Sequence, residues 1–323
     1  MTFNSDINNY LEALRTQRKL SPHTLSSYGG DLLTLAGFAA ASGTSPGPEQ
    51  VTHFQIRKLA SQLHAQGLSP RSIARKLSAW RGFFGWLAEQ GRALERNPVD
   101  GVKAPRRAKS LPKALSPDDA IRLVGQSTPG RDPTDAQQVC NRAMFELLYS
   151  SGLRVSELAG LDLRYAQQGG YRSLGWLDDQ LAEVTVTGKG NKMRTVPVGT
   201  HASQALRAWI LARPAPAATA DPEHQCALFL NSRGRRIRPQ LVQKRIKAHG
   251  LALGIPANVH PHVMRHSFAS HVLQSSGDLR AVQEMLGHAS IASTQVYTSL
   301  DFQRLATVYD AAHPRAKKRS GPA

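Results

Sequence analysis

Apolar side chains recur at three- and four-residue intervals along the first hundred positions, the period of a helix that buries one face. A first helix carries Ile7, Tyr10, Leu11 and Leu14. Ser21 before Pro22 has the form of an N-cap with proline in the first turn, and it opens a second helix through Tyr28, Leu32, Leu35 and Phe38. Thr52 begins a third helix, and Ser69 with Pro70 a fourth. Gly29 and Gly30 fall inside the second, where each costs about 1 kcal/mol relative to alanine and offers a place to kink. These residues read as a bundle of four helices.

The periodicity stops at Asn97. The run NPVDGVKAPRRAKSLPKAL to Leu115 has three prolines and the cations Lys103, Arg106, Arg107, Lys109 and Lys113, which reads as an extended basic linker. Ser116-Pro117-Asp118-Asp119 starts the next helix, followed by an amphipathic stretch holding Met144, Leu147 and Leu148. The period changes between Gly175 and Val198. Two alternating runs flank Gly188-Lys189-Gly190-Asn191, which predicts a β-hairpin. Helical segments follow at 203–212, 240–253, 261–274, 279–286 and 293–300, and the ending HPRAKKRSGPA reads as frayed. The expected fold is mainly α in two domains: an N-terminal four-helix domain over 1–105, a basic linker over 106–115, and a C-terminal mainly-α domain with a small antiparallel β-sheet over 116–300. A C-terminal helix and tail are expected over 301–323.

Composition adds a partner to this picture. The 323 residues, 41% of them hydrophobic, suffice for a core in each domain, and the formal net charge is +18. Residues 1–105 hold 12 Lys+Arg against 7 Asp+Glu, and the remainder 29 against 16, so both halves suit one polyanion. A solvated tether is the other reading of the linker charges. An anionic membrane is disfavoured, because there is no 18-residue apolar run, no basic amphipathic anchor and no signal-peptide pattern at MTFNSDINNY. A cytoplasmic location is expected. Cys140 and Cys226 form neither a CxxC nor a disulfide framework and read as buried free thiols.

Four segments hold candidate chemistry. In Ser151-Gly152-Leu153-Arg154-Val155-Ser156-Glu157, Arg154 stands at a junction of helices, suited to a phosphate oxygen or, alternatively, to a salt bridge with Glu157. The hairpin tip presents Lys189, with Lys192 and Arg194 beyond it, and a partly desolvated lysine there can donate a proton. In HPHVMRHSFASH, His262 and Arg265 are three apart and share a helix face. His262 and His266 also have a metal-binding interval, but there is no HExxH, no neighbouring carboxylate, and an arginine beside them; His266 and His271 read instead as core histidines. His288 follows a glycine at a helix end, and Tyr297 lies in the next short helix, a place where a tyrosine ordinarily packs. No group of Asp and Glu residues suits a two-metal nuclease.

In combination, Arg154, Lys189, His262, Arg265, His288 and Tyr297 resemble, in order and context, the signature of the tyrosine recombinase (lambda-integrase) family. The likeness spans the whole chain, since the first four helices look like that family's core-binding domain. Within the family, HPHVMRHSFASHVLQSSGDLRAVQEMLGHASIASTQVYT is similar to bacterial Xer recombinases, and LDFQRLATVYDAAHPRAKKR to those of XerC type. The resemblance implies a site-specific recombinase that forms a 3′-phosphotyrosyl bond through Tyr297. Arg154, Arg265 and His288 would hold the phosphate, Lys189 would be the general acid, His262 would assist proton transfer and Glu157 would support the site. Lys103, Arg106, Arg107, Lys192 and Arg194 are expected to contact DNA. No cofactor or metal is implied, because cationic side chains carry the electrostatic work. The implied partners are double-stranded DNA with a dif-like site, a XerD-type recombinase in a heterotetramer and an FtsK-type translocase. The tail over 301–323 is expected to touch a neighbouring protomer, and resolution of chromosome or plasmid dimers at cell division is the implied role.

Overall fold

The computed structural model describes residues 2–41, 47–105, 114–178, 180, 182–188, 192–218, 221–255, 258–287, 307–309 and 311–315. The chain divides into two compact units, Met1–Ser110 and Leu111–Ala323. No helix among the described residues is long and apolar enough to cross a membrane.

Unit one contains α1 (Phe3–Thr16), α2 (Pro22–Ala41), α3 (His53–Ala65) and α4 (Pro70–Glu89). Their starts are written in polar side chains: Thr2 accepts from the Ser5 N–H, Thr52 and Gln55 form a capping box, and Ser69 caps α4 ahead of Pro70. α4 buries Ile73, Leu77, Trp80, Phe84 and Leu87, at intervals of three and four, against α1 and α2. α2 runs unbroken through Gly29 and Gly30, and the first of these has a packing reason. A Cβ on Gly29 would stand 3.3 Å from Leu11 Cδ1, so the glycine lets α1 and α2 approach. Inside the bundle, Asp31 is ion-paired with Arg75 and, at 3.1 Å, with Lys76, while its carbonyl accepts from Trp80 Nε1 at 2.7 Å.

Unit two contains α5 (Pro117–Gly125), α6 (Ala136–Ser151), α7 (Val155–Ala159), α8 (Thr200–Ala212), α9 (Pro222–Cys226), α10 (Pro239–Ala252), α11 (Pro261–Ser276) and α12 (Leu279–Leu286). α6 lies at its centre, with every residue from Ala143 to Ser151 buried against neighbours that include α5, α8, α10 and α11. The two-run hairpin is present as β4 (Glu183–Thr187) and β5 (Met193–Pro197), and β3 (Gly175–Asp178) adds a third antiparallel strand. A further two-residue pair joins β1 (Gln167–Gln168) to β2 (Tyr171–Arg172). Gly175, Leu177, Val184, Val186, Arg194 and Val196 form the buried face of the three-stranded sheet.

The ending HPRAKKRSGPA, expected to be frayed, is packed at His313 and Arg315 among its described residues, 313–315. Residues 307–309 and 311–312 are helical, and Tyr309, Ala312 and His313 are buried. Tyr309 Oη lies 2.7 Å from Ser150 Oγ, the Arg315 guanidinium is ion-paired with buried Glu146, and the His313 ring stacks on Tyr309. Cys140 is buried as a free thiol, as expected, and burial raises its pKa to about 12; Cys226, expected to be buried too, is free but only partly buried.

Candidate active site

Two helix ends and one strand converge on a single carboxylate. α6 stops at Gly152, whose φ of 57° is the left-handed conformation that favours glycine. The position leaves no room for a side chain either, because a Cβ would stand 2.8 Å from Phe268 Cε1. The chain thereby turns sharply into α7, where Arg154 is the N-cap residue and Glu157 the third helical residue. Glu157 Oε2 accepts from the Arg154 backbone N–H at 2.8 Å, and Oε1 from Arg154 Nη1 at 2.7 Å.

The salt bridge from Arg154 to Glu157 is present, and it leaves part of the side chain in solvent. The guanidinium is anchored on one side by Glu157, and the side chain is 34% exposed.

Arg265 enters from the second turn of α11 and is 9% exposed. Nη1 donates to Gly152 O at 2.7 Å and Nη2 to Leu286 O at 2.6 Å, so the last carbonyls of α6 and α12 fix the plane of the guanidinium. A cation at a helix C-terminus is favoured by the unpaired carbonyls there. Burial, and then repulsion from Arg154, lower the Arg265 pKa to about 10, which leaves it protonated at neutral pH. The five N–H groups of a guanidinium exceed the two used in these bonds, which is what a phosphate clamp requires.

Arg194 corrects the sequence reading. It was expected on the DNA-contacting surface, but it is 6% exposed and points inward from β5. Nη1 and Nη2 donate to Glu157 Oε1 and Oε2 at 2.9 and 2.7 Å, and Nε donates to Met285 O at 2.9 Å. A buried guanidinium engaged in this way cannot reach a DNA backbone. The signal was present in the sequence: Arg194 alternates with Val196 along the strand, which assigns it to the buried face. Glu157 is held by this arrangement. Burial raises its pKa, but hydrogen bonds and charge from Arg194, with those from Arg154, outweigh that and keep it below the ordinary carboxylate value.

His262 is exposed one turn before Arg265. His266, expected in the core, is exposed, whereas His271 is the core histidine. Its Nε2 donates to Leu115 O at 2.9 Å and its Nδ1 accepts from Tyr149 Oη at 2.8 Å. Lys103 and Lys192 are exposed. Lys189, His288, Tyr297, Arg106 and Arg107 lie outside the described residues, although the neighbours Gly188 and Gly287 are described.

Residues 113–304 match the model of the phage integrase family, and residues 7–91 match the phage integrase N-terminal SAM-like domain. Tyrosine recombinase XerC 1 of Ralstonia nicotianae is 57% identical over 311 residues, covering 96% of this chain and 93% of that protein. Tyrosine recombinase XerC of Pseudomonas aeruginosa (strain LESB58) is 45% identical over 315 residues, covering 98% and 96%. Among solved structures, the Tn1549 transposon integrase in complex with a circular intermediate DNA has the same fold, with a TM-score of 0.66 at 18% identity over 95% of this chain and 99% of that one. XerH site-specific recombinase bound to palindromic difH substrate has a TM-score of 0.63 at 19% identity, covering 95% and 84%. The chain belongs to the phage integrase family as a XerC-like tyrosine recombinase, an enzyme that cleaves DNA and exchanges its strands.

Proposed function

We propose that Tyr297 is the nucleophile and that Arg154 and Arg265 clamp the phosphate it attacks. The observation that carries this reading is the convergence of the two guanidiniums: one stands at the start of α7 and the other bonds the carbonyl of Gly152, two residues before it. The tyrosine oxygen forms a bond to phosphorus, the bond to the 5′ oxygen breaks, and the 3′ end stays linked to the protein. A phenolate with a pKa near 10 is a leaving group good enough for the reverse step. The ester bond energy is retained, so no nucleoside triphosphate is consumed. Negative charge gathers on the non-bridging oxygens as the phosphorus becomes five-coordinate, and two fixed guanidiniums oppose it without reorganising. His288 donates a further hydrogen bond, Lys189 protonates the departing 5′ oxygen, and His262 moves the proton of Tyr297.

The substrate is double-stranded DNA carrying a dif-like site. Lys103, Arg106, Arg107 and Lys192 meet its phosphates, with the basic segment 106–115 lying beside the duplex; the excess of cations in both halves of the chain supports this. The partner is a XerD-type recombinase in a tetramer of two and two, governed by an FtsK-type translocase. The role is resolution of chromosome and plasmid dimers in the cytoplasm at cell division. The naming of the 57% and 45% identical relatives as XerC supports this set of partners. The tail over 301–323 couples neighbouring protomers. Its described residues are anchored on Glu146, Tyr149 and Ser150 of α6, the helix that ends in the active-site turn at Gly152, so a change at the tail has a short path to Arg154.

A nicked duplex bearing a dif-like site tests the chemistry. Wild type is expected to leave an SDS-resistant protein–DNA adduct and Tyr297→Phe none. An adduct from Tyr297→Phe, or none from wild type that binds the site, refutes the assignment.

A further inference from the structure

We propose that Arg194 is a positioning residue for strand cleavage, acting from beneath the active site on the groups that surround the phosphate. The proposal rests on the reading of Arg154 and Arg265 given above. Its basis is that one buried side chain touches three separate pieces of the site. The fork of Nη1 and Nη2 grips both oxygens of Glu157, and Glu157 in turn holds the backbone and the guanidinium of Arg154. Nε holds Met285 O at the end of α12, one residue before the carbonyl of Leu286 that fixes Arg265. The side chain lies against two glycines: a Cβ on Gly287 would stand 3.0 Å from Arg194 Cδ, and one on Gly188 would stand 3.5 Å from Arg194 Nη1 and 3.9 Å from Arg154 Nη1. Gly188 directly precedes Lys189 and Gly287 directly precedes His288. The Gly188 N–H donates to Lys192 O at 2.8 Å, which closes the base of the hairpin turn over the guanidinium.

No other ion pair in the described structure joins three elements in this way at the site. A planar, bidentate donor is needed, because the two prongs set the rotation of the carboxylate while the third N–H sets the end of α12. Lysine would supply the charge that neutralises Glu157 but only a point contact. Loosening such a scaffold by about 1 Å costs on the order of 10²-fold in rate without changing how tightly the rest of the protein holds its substrate.

The test is single-turnover adduct formation on the nicked duplex at saturating protein, with DNA affinity from gel shift and thermal unfolding measured alongside. For Arg194→Lys the expected result is an adduct rate lower by about 10²-fold, with affinity within about twofold of wild type and a folded protein. A rate equal to wild type overturns the proposal. So does a loss of affinity that accounts for the whole loss of rate, since that is the behaviour of a DNA-contacting residue. If Arg194→Lys does not fold, Glu157→Gln carries the same test, because it breaks the fork from the other side while keeping the shape of the side chain. It too is expected to slow the reaction at unchanged affinity, and a wild-type rate overturns the proposal. A wild-type protein that binds the duplex and forms no adduct instead refutes the nucleophile reading on which the proposal rests.

Discussion

A guanidinium removed from water is tolerated only when its donors are matched, and Arg265 shows how the site meets that condition. Two carbonyls that a helix cannot use for itself, at the ends of α6 and α12, take its Nη1 and Nη2. The geometry implies a strong dependence on shape as well as charge. Arg265→Lys keeps a cation but cannot span Gly152 O and Leu286 O while also presenting a fork to a phosphate. Its adduct rate is expected to fall by about 10²- to 10³-fold. On a duplex whose scissile phosphate is replaced by a neutral methylphosphonate, less charge develops, so the penalty relative to wild type should shrink. An equal penalty on both substrates in single-turnover assays would argue against contact with the non-bridging oxygens.

Among the elements, the α6–α7 turn depends on one residue. Gly152→Ala places a Cβ against the Phe268 ring in a backbone conformation that costs an L-residue about 1–2 kcal/mol before any collision. Thermal unfolding should therefore begin several degrees earlier, and adduct formation should fall because Arg154 and Gly152 O shift together. Unchanged stability would show that the turn relaxes freely.

The tail-anchoring segment carries a pH dependence. His313 Nε2 donates to Tyr149 O at 3.1 Å and Nδ1 accepts from the Arg315 N–H at 3.1 Å, so the neutral ring is satisfied on both sides. Burial lowers its pKa to about 3, with His271 and Arg315 acting in the same direction, and burial also lowers His249 and His271. Below the ordinary histidine pKa near 6.5 the unfolded chain takes up protons that the folded one refuses, and stability therefore falls as pH drops from 6.5 towards 3. For His313 the slope is on the order of 1 kcal/mol per pH unit. Urea unfolding at pH 7 and pH 5.5 should differ accordingly, and by less in His313→Gln; a flat profile would contradict the burial of these rings.

At the scale of the whole molecule, local signals carried the sequence reading far. Caps and three-to-four periodicity placed the helices of unit one, and the glycine-rich turn placed β4 and β5. β3 escaped because four residues give too short an alternation to register. Arg194 was misassigned for a different reason: a basic residue near a hairpin tip was read by its charge, although its alternation with Val196 pointed inward. The packing of His313 and Arg315 was missed because the ending is polar in composition while their partners, Tyr149 and Glu146, lie more than 150 residues away in sequence. The spacing of Arg154 and Glu157 was legible. Their third partner, Arg194, is a contact that only folding supplies.

The chemistry itself reduces to one covalent bond. Adduct trapped on a nicked dif-like duplex can be digested with nuclease and trypsin and the modified peptide located by mass spectrometry. The residues from Ala281 to Arg304 form one tryptic peptide, with Tyr297 as its only tyrosine. The expected product is that peptide carrying a nucleotide through its 3′ phosphate on Tyr297. Modification of any other residue, or attachment through a 5′ phosphate, would contradict the assigned mechanism.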